Sequence, residues 1–233
     1  MNYKYLVIFA IILLLLGLYF SYKKYTNTYY SLLLDQPKNS KINYSVEKNL
    51  LKKNVKNTGI TWTLNFWIYI KDWTYNFNKN KYIIVWDNCN IWLDKNSNDL
   101  HIHIPTYNSN QGTKLKILNL PLQKWLNISV ILDNRNLDVW VNSKLYNSKY
   151  INNIPKFINQ SNMKINPYGG YNGYVSQVKY YNYVIKKNQL LGINNLYRIF
   201  KNGPFGFQIP IISNFNFLYK KIPKINMKIE IDK

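Results

Sequence analysis

Hydrophobic and polar positions change rhythm several times along the chain. From Leu6 to Phe20 the residues read LVIFAIILLLLGLYF without one charge, between Lys4 and the pair Lys23-Lys24. A run apolar on every side predicts a membrane-crossing helix. Taken from Tyr5 to Tyr22 it is about 27 Å long, which suits a thin bilayer of the endoplasmic-reticulum type. Tyr3, Tyr5, Tyr19, Tyr22 and Tyr25 then fall at the two interfaces. The competing reading is a cleaved secretory signal, but Tyr19-Phe20-Ser21-Tyr22 stands where a small-x-small cleavage motif belongs. We therefore expect a retained anchor over residues 1–25. Lys23, Lys24, Lys38 and Lys41 outweigh Lys4 upstream, so the positive-inside tendency keeps the following domain cytosolic.

Residues 26–57 are polar, with Pro37 and the lysines Lys48, Lys52, Lys53 and Lys56, and read as a basic stalk with room for one strand or a short helix. From Gly59 the period falls to two. In TWTLNFWIYI, Trp62, Leu64, Phe66, Ile68 and Ile70 alternate with Thr63, Asn65, Trp67 and Tyr69, a strand covered on both faces. Further strands are expected at Tyr82–Trp86, Ile91–Leu93, Leu100–Ile104, Lys114–Leu118, Trp125–Leu132, Leu137–Val141 and Tyr174–Tyr183. Turn residues separate them, among them Asp87-Asn88, Asn96-Ser97-Asn98 and Asp133-Asn134. That is the signature of an antiparallel sandwich rather than an alternating α/β chain. Leu190, Ile193, Leu196, Tyr197 and Phe200 recur at helical spacing, so a short helix is expected from Lys186 to Phe200, stopped by Asn202-Gly203-Pro204. The body then spans 58–204, and a basic tail of Lys, Ile, Asn and Pro fills 205–233.

Composition sharpens this outline. In 233 residues, 47% are apolar and 17% aromatic, enough for a core and against disorder over most of the chain. The single cysteine, Cys89, rules out an intramolecular disulfide framework and any zinc site with two cysteines. A net charge of +21 invites a nucleic-acid reading, yet Arg135 and Arg198 are the only arginines, and bidentate base readout prefers arginine. The crowding of Lys, Asn, Ile and Tyr, residues with AT-rich codons, accounts for the basicity without such a role. A sequence-reading nucleic-acid module is not expected.

Four stretches carry a resemblance. TWTLNFWIYIKDW (Thr61–Trp73) is similar to an opening strand, and LPLQKWLNISVILDNRNLDVWVNSKL (Leu120–Leu145) to a central hairpin. GGYNGYVSQVKYYNYVI (Gly169–Ile185) is similar to a closing strand, and Lys201–Pro204 ends the helical turn. Together they resemble the laminin-G-like branch of the concanavalin A-like lectin/glucanase fold. The resemblance implies a mainly β, antiparallel jelly-roll sandwich, here with one N-terminal transmembrane helix and a short C-terminal helix. Where that family has Asn-Gly in the hairpin, this chain has Asn142-Ser143, and Ser tolerates positive φ less well than Gly, so the turn type is open. Gly170 and Gly173 are expected to permit a bulge or a close backbone approach.

Glucanases of that fold work with paired carboxylates. The chain has only two glutamates, Glu47 in the expected stalk and Glu230 in the tail, and its aspartates fall at strand ends and turns, so no catalytic residue and no enzyme activity are expected. His101 and His103 share one face of a strand, a spacing that suits a metal with Asp99 as third ligand, but nothing else accompanies them; no metal and no cofactor are expected. Cys89, near Trp86 and Trp92, reads as a buried small hydrophobe. Aromatic faces stack on sugar rings, so Trp73, Tyr75, Trp86, Trp92, Tyr107 and Tyr171 are candidate glycan or partner contacts, with core packing as the plainer alternative. Lys23, Lys24, Lys48, Lys52, Lys53, Lys56, Lys220, Lys221, Lys224 and Lys228 are candidate contacts to a membrane or other acidic surface.

Anchor, lectin-like body and residue skew together resemble domains encoded by nucleocytoplasmic large DNA viruses. That resemblance implies a non-enzymatic, single-pass virion protein at the internal membrane beneath the capsid, with capsid or other virion proteins as partners. The alternative is a membrane-displayed lectin that binds glycans.

Overall fold

The computed structural model describes residues 3–52, 59–107, 109–199 and 229–230. Helix α1 (Tyr3–Tyr29) leads through Tyr30 into strands β1 (Ser31–Leu34), β2 (Lys38–Asn39) and β3 (Asn43–Val46), then a 3-10 turn at Lys48–Leu50. Strands β4 (Thr61–Ile70), β5 (Lys81–Trp86), β6 (Cys89–Leu93), β7 (Leu100–Thr106) and β8 (Ser109–Ile117) follow. After them come β9 (Trp125–Asp133), β10 (Asn136–Val141), β11 (Lys144–Tyr150), β12 (Met163–Ile165) and β13 (Gly173–Tyr181). Helix α2 (Lys187–Ile199) and the short β14 (Ile229–Glu230) complete the order.

The strands form two antiparallel sheets. The first runs β1-β13-β4-β9-β10-β11, with β2 also on β13; the second runs β14-β3-β12-β5-β6-β7-β8. Period-2 alternation turns Trp62, Leu64 and Phe66 of β4 and Ile128 and Val130 of β9 inward to meet Ile84, Ile91, Ile102 and Ile165 of the second sheet, all buried in one core. Trp86 spans the layers: its ring stands edge-on to Trp62 at 5.5 Å and to Tyr180 at 5.6 Å. The expected mainly β body of two antiparallel layers is present.

The expected stalk is not a separate segment. β1 and β2 pair with β13, β3 pairs with β12, and Leu33, Leu34, Val46 and Leu51 are fully buried. These few apolar side chains in a polar stretch fill the edges of both layers, so the sandwich begins one residue after α1. At the β10–β11 turn both Asn142 (φ 49°) and Ser143 (φ 62°) are left-handed, the geometry of a type I′ hairpin. Ser143 tolerates it because its buried hydroxyl donates to the Leu190 carbonyl of α2 at 2.7 Å, while Asn142 Oδ1 accepts the Asn127 amide at 2.9 Å. The close approaches expected at the two glycines are there as well. A Cβ on Gly170 (φ 45°) would lie 2.0 Å from the Ser40 carbonyl oxygen, and one on Gly173 1.9 Å from that of Tyr69.

α2 matches the expected helix within a residue at each end. Its Leu190 packs with Ile131, Tyr181 and Ile185 on the outer side of the first sheet, opposite the main core. The stop at Lys201–Pro204 and nearly all of the tail lie outside the described residues; Ile229 and Glu230 pair with Tyr44 and Asn43. The side chains of α1 are described without a break only from 7 to 21, a run shorter than the about 20 residues of a span. Counted over the described residues, no helix is long and apolar enough to cross a membrane.

Candidate functional site

The second sheet carries an aromatic row on its outer face. Strand pairing places Tyr82 of β5 opposite Trp92 of β6, Trp92 opposite His101 of β7, and His101 opposite Lys116 of β8. Their neighbours Ile91, Leu93, Leu100 and Ile102 point into the core, so the pleat turns these rings outward, where each is half-buried. Trp92 and His101 stack at 5.3 Å with planes 8° apart, Tyr82 lies 6.0 Å from Trp92, and Tyr168 meets Tyr82 edge-on at 5.5 Å. Tyr168 is 67% exposed and forms the open end of the row.

A second, polar row runs beside it: Ser45, Lys164, Val85, Asn90, His103 and Lys114 are in register across β3, β12, β5, β6, β7 and β8. A register shift between Tyr82 and Ile84 lets Tyr82 and Val85 share this face despite their odd spacing. Over the row lies a concavity of about 580 Å³, lined among others by Lys48, Asp87, Asn90, Gln160, Lys164 and Tyr168.

Carboxylates fix the frame of this site. Asp87 accepts the amides of Gln160 (3.1 Å) and Ser161 (2.9 Å) and the Ser161 hydroxyl (2.5 Å), which pins the loop before β12. Burial alone would raise the Asp87 carboxyl, but these donors outweigh it and hold the group below the ordinary carboxylate range. Asp94 accepts the Asn96 and Ser97 amides and pairs with His101 Nε2 at 3.0 Å, and these bonds lower its carboxyl against the opposing effect of burial. Asp99 binds Lys116 Nζ at 2.7 Å, the Asn119 amide at 2.9 Å and the Ser97 hydroxyl at 2.7 Å. Burial opposes its ionisation, yet the three donors bring it down to about 2.

The two histidines face the same side as their spacing requires. Asp99, the third ligand that such a spacing could take, is bound to Lys116, and among the described residues no three His, Cys, Asp or Glu side chains gather as metal ligands. Cys89 is fully buried and its thiol is pushed up by burial, as suits a small hydrophobe.

The six aromatic candidates are dispersed. Trp92 stands in the row. Tyr107, 47% exposed, lies after β7 with Lys156 Nζ 5.7 Å from its ring centre. Tyr75 lies under Lys41 Nζ at 4.4 Å, and Trp73 packs on the core beneath the buried Lys81, whose Nζ is 4.7 Å from the ring. Trp86 and Tyr171 are corrections as exposed platforms: both are buried in the core, Trp86 reaching the surface only as part of the lining of the concavity. Trp86 ends an inward-facing alternation, and the Tyr171 hydroxyl donates to the Tyr174 carbonyl at 2.8 Å. Tyr82, Tyr168, Asn90 and Lys164 were not singled out from the sequence. Strict alternation would turn Tyr82 inward with Ile84; the register shift between them turns it outward, and its meeting with Trp92 depends on strand pairing.

Of the candidate lysines, Lys48 and Lys52 are exposed at one end of the sandwich, and Lys23 and Lys24 belong to α1. Lys53, Lys56, Lys220, Lys221, Lys224 and Lys228 lie outside the described residues.

No family model matches the chain, and no curated protein matches it. Solved structures do. The botulinum neurotoxin serotype D binding domain is similar with a TM-score of 0.52 at 10% identity, over 66% of this chain and 42% of that one. The binding domain of Paraclostridial Mosquitocidal Protein 1 is similar with a TM-score of 0.50 at 14% identity, over 73% of this chain and 46% of that one. The chain thus spans less than half of each. At such identities the likeness is one of fold: this chain has a β-sandwich of the kind found in those binding domains.

Proposed function

We propose that the protein is a non-enzymatic, membrane-tethered binding module with a concanavalin A-like jelly-roll body, and that the outer face of its second sheet receives a carbohydrate. The observation that carries the ligand class is the row Tyr168-Tyr82-Trp92-His101 beside an open concavity edged by Asn90, Gln160 and Lys164. Flat apolar rings flanked by directional amides and an ammonium match the alternating apolar faces and hydroxyl edges of sugars. The fold shared with two binding domains agrees with a role in binding rather than catalysis.

The tether rests on α1. Its described residues Val7, Phe9, Ile12, Leu14, Leu16 and Phe20 are exposed on all sides of the helix, and no charge stands between Tyr5 and Tyr22. An isolated helix apolar all round has no stable place in water. A virion setting, with capsid proteins as partners, rests on the resemblance alone; it requires the same tethered, non-catalytic sandwich.

Full-length protein in detergent, screened on a glycan array beside its Trp92→Ala variant, tests the ligand class. Binding to a defined glycan that the variant loses is expected; an array without wild-type signal would defeat the reading. Retention of the chain in the membrane pellet after alkaline carbonate extraction is expected of the tether, and release would defeat that part.

A further inference from the structure

The chain that leaves α1 is held against one end of the sandwich by continuous contacts. Tyr30, directly after the helix, packs on Tyr181 at 5.3 Å and lies under Lys179 Nζ at 5.5 Å, so the junction is pinned to β13. Ser31 Oγ then donates to the Leu50 carbonyl at 2.7 Å, and the Tyr180 hydroxyl to that of Lys52 at 3.0 Å. From there hydrogen bonds run round the rim. Lys48 Nζ reaches the Gln160 carbonyl, Asn88 holds Ile158, Lys156 donates its amide to Pro105, Tyr107 donates its amide to Ile154, and Arg135 Nε donates to Ile151. In the first sheet the same end is marked by Thr61 opposite Asp133 and Asn136 opposite Tyr150.

This rim has the chemistry of a bilayer interface. Tyr107, Tyr150 (59% exposed) and Ile154 (60% exposed) project from it. Two of the three are paired with cations: Lys156 over Tyr107, and the Arg135 guanidinium 4.9 Å from the ring centre of Tyr150. Exposed Lys48 and Lys52 continue the positive edge. Against them stand Glu47, Asp133 and Asp87, the last already occupied by Ser161 and Gln160. Aromatic rings with a wet edge, an aliphatic side chain and adjacent cations are the mixture that settles at the headgroup level. From the end of the apolar run at Tyr22 to the end of α1 at Tyr29 the helix rises about 10 Å, a few Å more than a headgroup layer of about 5–7 Å, a gap that long basic side chains can span.

We propose that this rim docks on anionic phospholipid headgroups of the membrane that α1 enters, so that the sandwich sits against the bilayer in a fixed orientation instead of swinging on a linker. The proposal rests on the tether reading. Each basic side chain at an anionic surface is worth about fivefold in affinity, so Lys156 and Arg135 together have a measurable share.

The test uses the full chain in nanodiscs of phosphatidylcholine, with or without phosphatidylserine, each doped with a nitroxide-headgroup lipid. A fluorophore is placed at Tyr107→Cys or Ile154→Cys, with Leu122→Cys at the opposite end as control; Cys89 is buried and stays unlabelled. Quenching several-fold stronger at 107 and 154 than at 122 is expected with phosphatidylserine, falling with added salt and with Lys156→Glu plus Arg135→Glu. Equal quenching at all three sites overturns the docking while leaving the tether intact, and so does rim quenching indifferent to phosphatidylserine. A chain that does not enter the nanodiscs overturns the tether and the docking with it.

Discussion

Ser143 shows how one side chain settles a local conflict. An L-residue at φ 62° carries a steric cost that Gly avoids, and the hydrogen bond to Leu190 offsets it. Ser143→Ala keeps the strain and loses the bond, so it should lower unfolding stability by about 1 kcal/mol in urea titrations, and Ser143→Gly should cost less. The sequence marked this turn as uncertain but did not contain its solution, because the partner lies 47 residues away. Asp99 is a second case. Its carboxyl sits at about 2 in the fold against the ordinary aspartate value of 3.8, so the stabilisation it provides is fully present above pH 3.8 and is lost as pH falls through 2. Asp99→Asn should flatten the acid limb of the stability profile over that window, read by circular dichroism. A wild-type limb unchanged in the variant would assign the acid loss to other carboxylates.

At the scale of elements, legibility follows how long core residues keep a period of two. β4, β7, β9 and β10 are visible because core residues alternate in them for five positions or more, and β5 shows as a short apolar run although its alternation breaks between Tyr82 and Ile84. β11 is not: every residue of Lys144–Tyr150 is exposed, so no face is selected and no alternation arises. β12 has three residues and β1 to β3 have four or fewer, too short for a period to show against the polar background of 31–51. The row of the candidate site was half legible for a related reason. Trp92 stands out by type, but Tyr82 and Tyr168 join it only through pairing across strands and through a loop. α2 was legible because its apolar stripe must cover Ile131 and Tyr181. Leu190→Ala should therefore cost about 2–4 kcal/mol and raise hydrogen exchange in α2 before it does so in β4. Simultaneous loss of protection in both would show that the helix and the main core unfold as one unit.

For the whole molecule, the sandwich starting at Ser31, with only Tyr30 between it and α1, changes the mechanical picture from a domain on a stalk to a domain set directly on the helix proposed as its tether. The candidate concavity then lies towards the mounted end, since Lys48, Asp87 and Gln160 belong both to its lining and to the rim. On the tether reading, a ligand carried by the same bilayer comes within reach of it, while the row from Tyr168 to His101 extends along the outer face of the sheet. On the proposed function, binding depends on this row and not on the other candidate aromatics. The direct measurement is the dissociation constant, by calorimetry, of the strongest array glycan for the wild type, Trp92→Ala and Tyr75→Ala. Losing one stacked ring removes about 1–3 kcal/mol by analogy with base stacking, or roughly 5- to 150-fold. That loss is expected for Trp92→Ala and wild-type affinity for Tyr75→Ala; undiminished affinity in Trp92→Ala would rule out the row as the binding face.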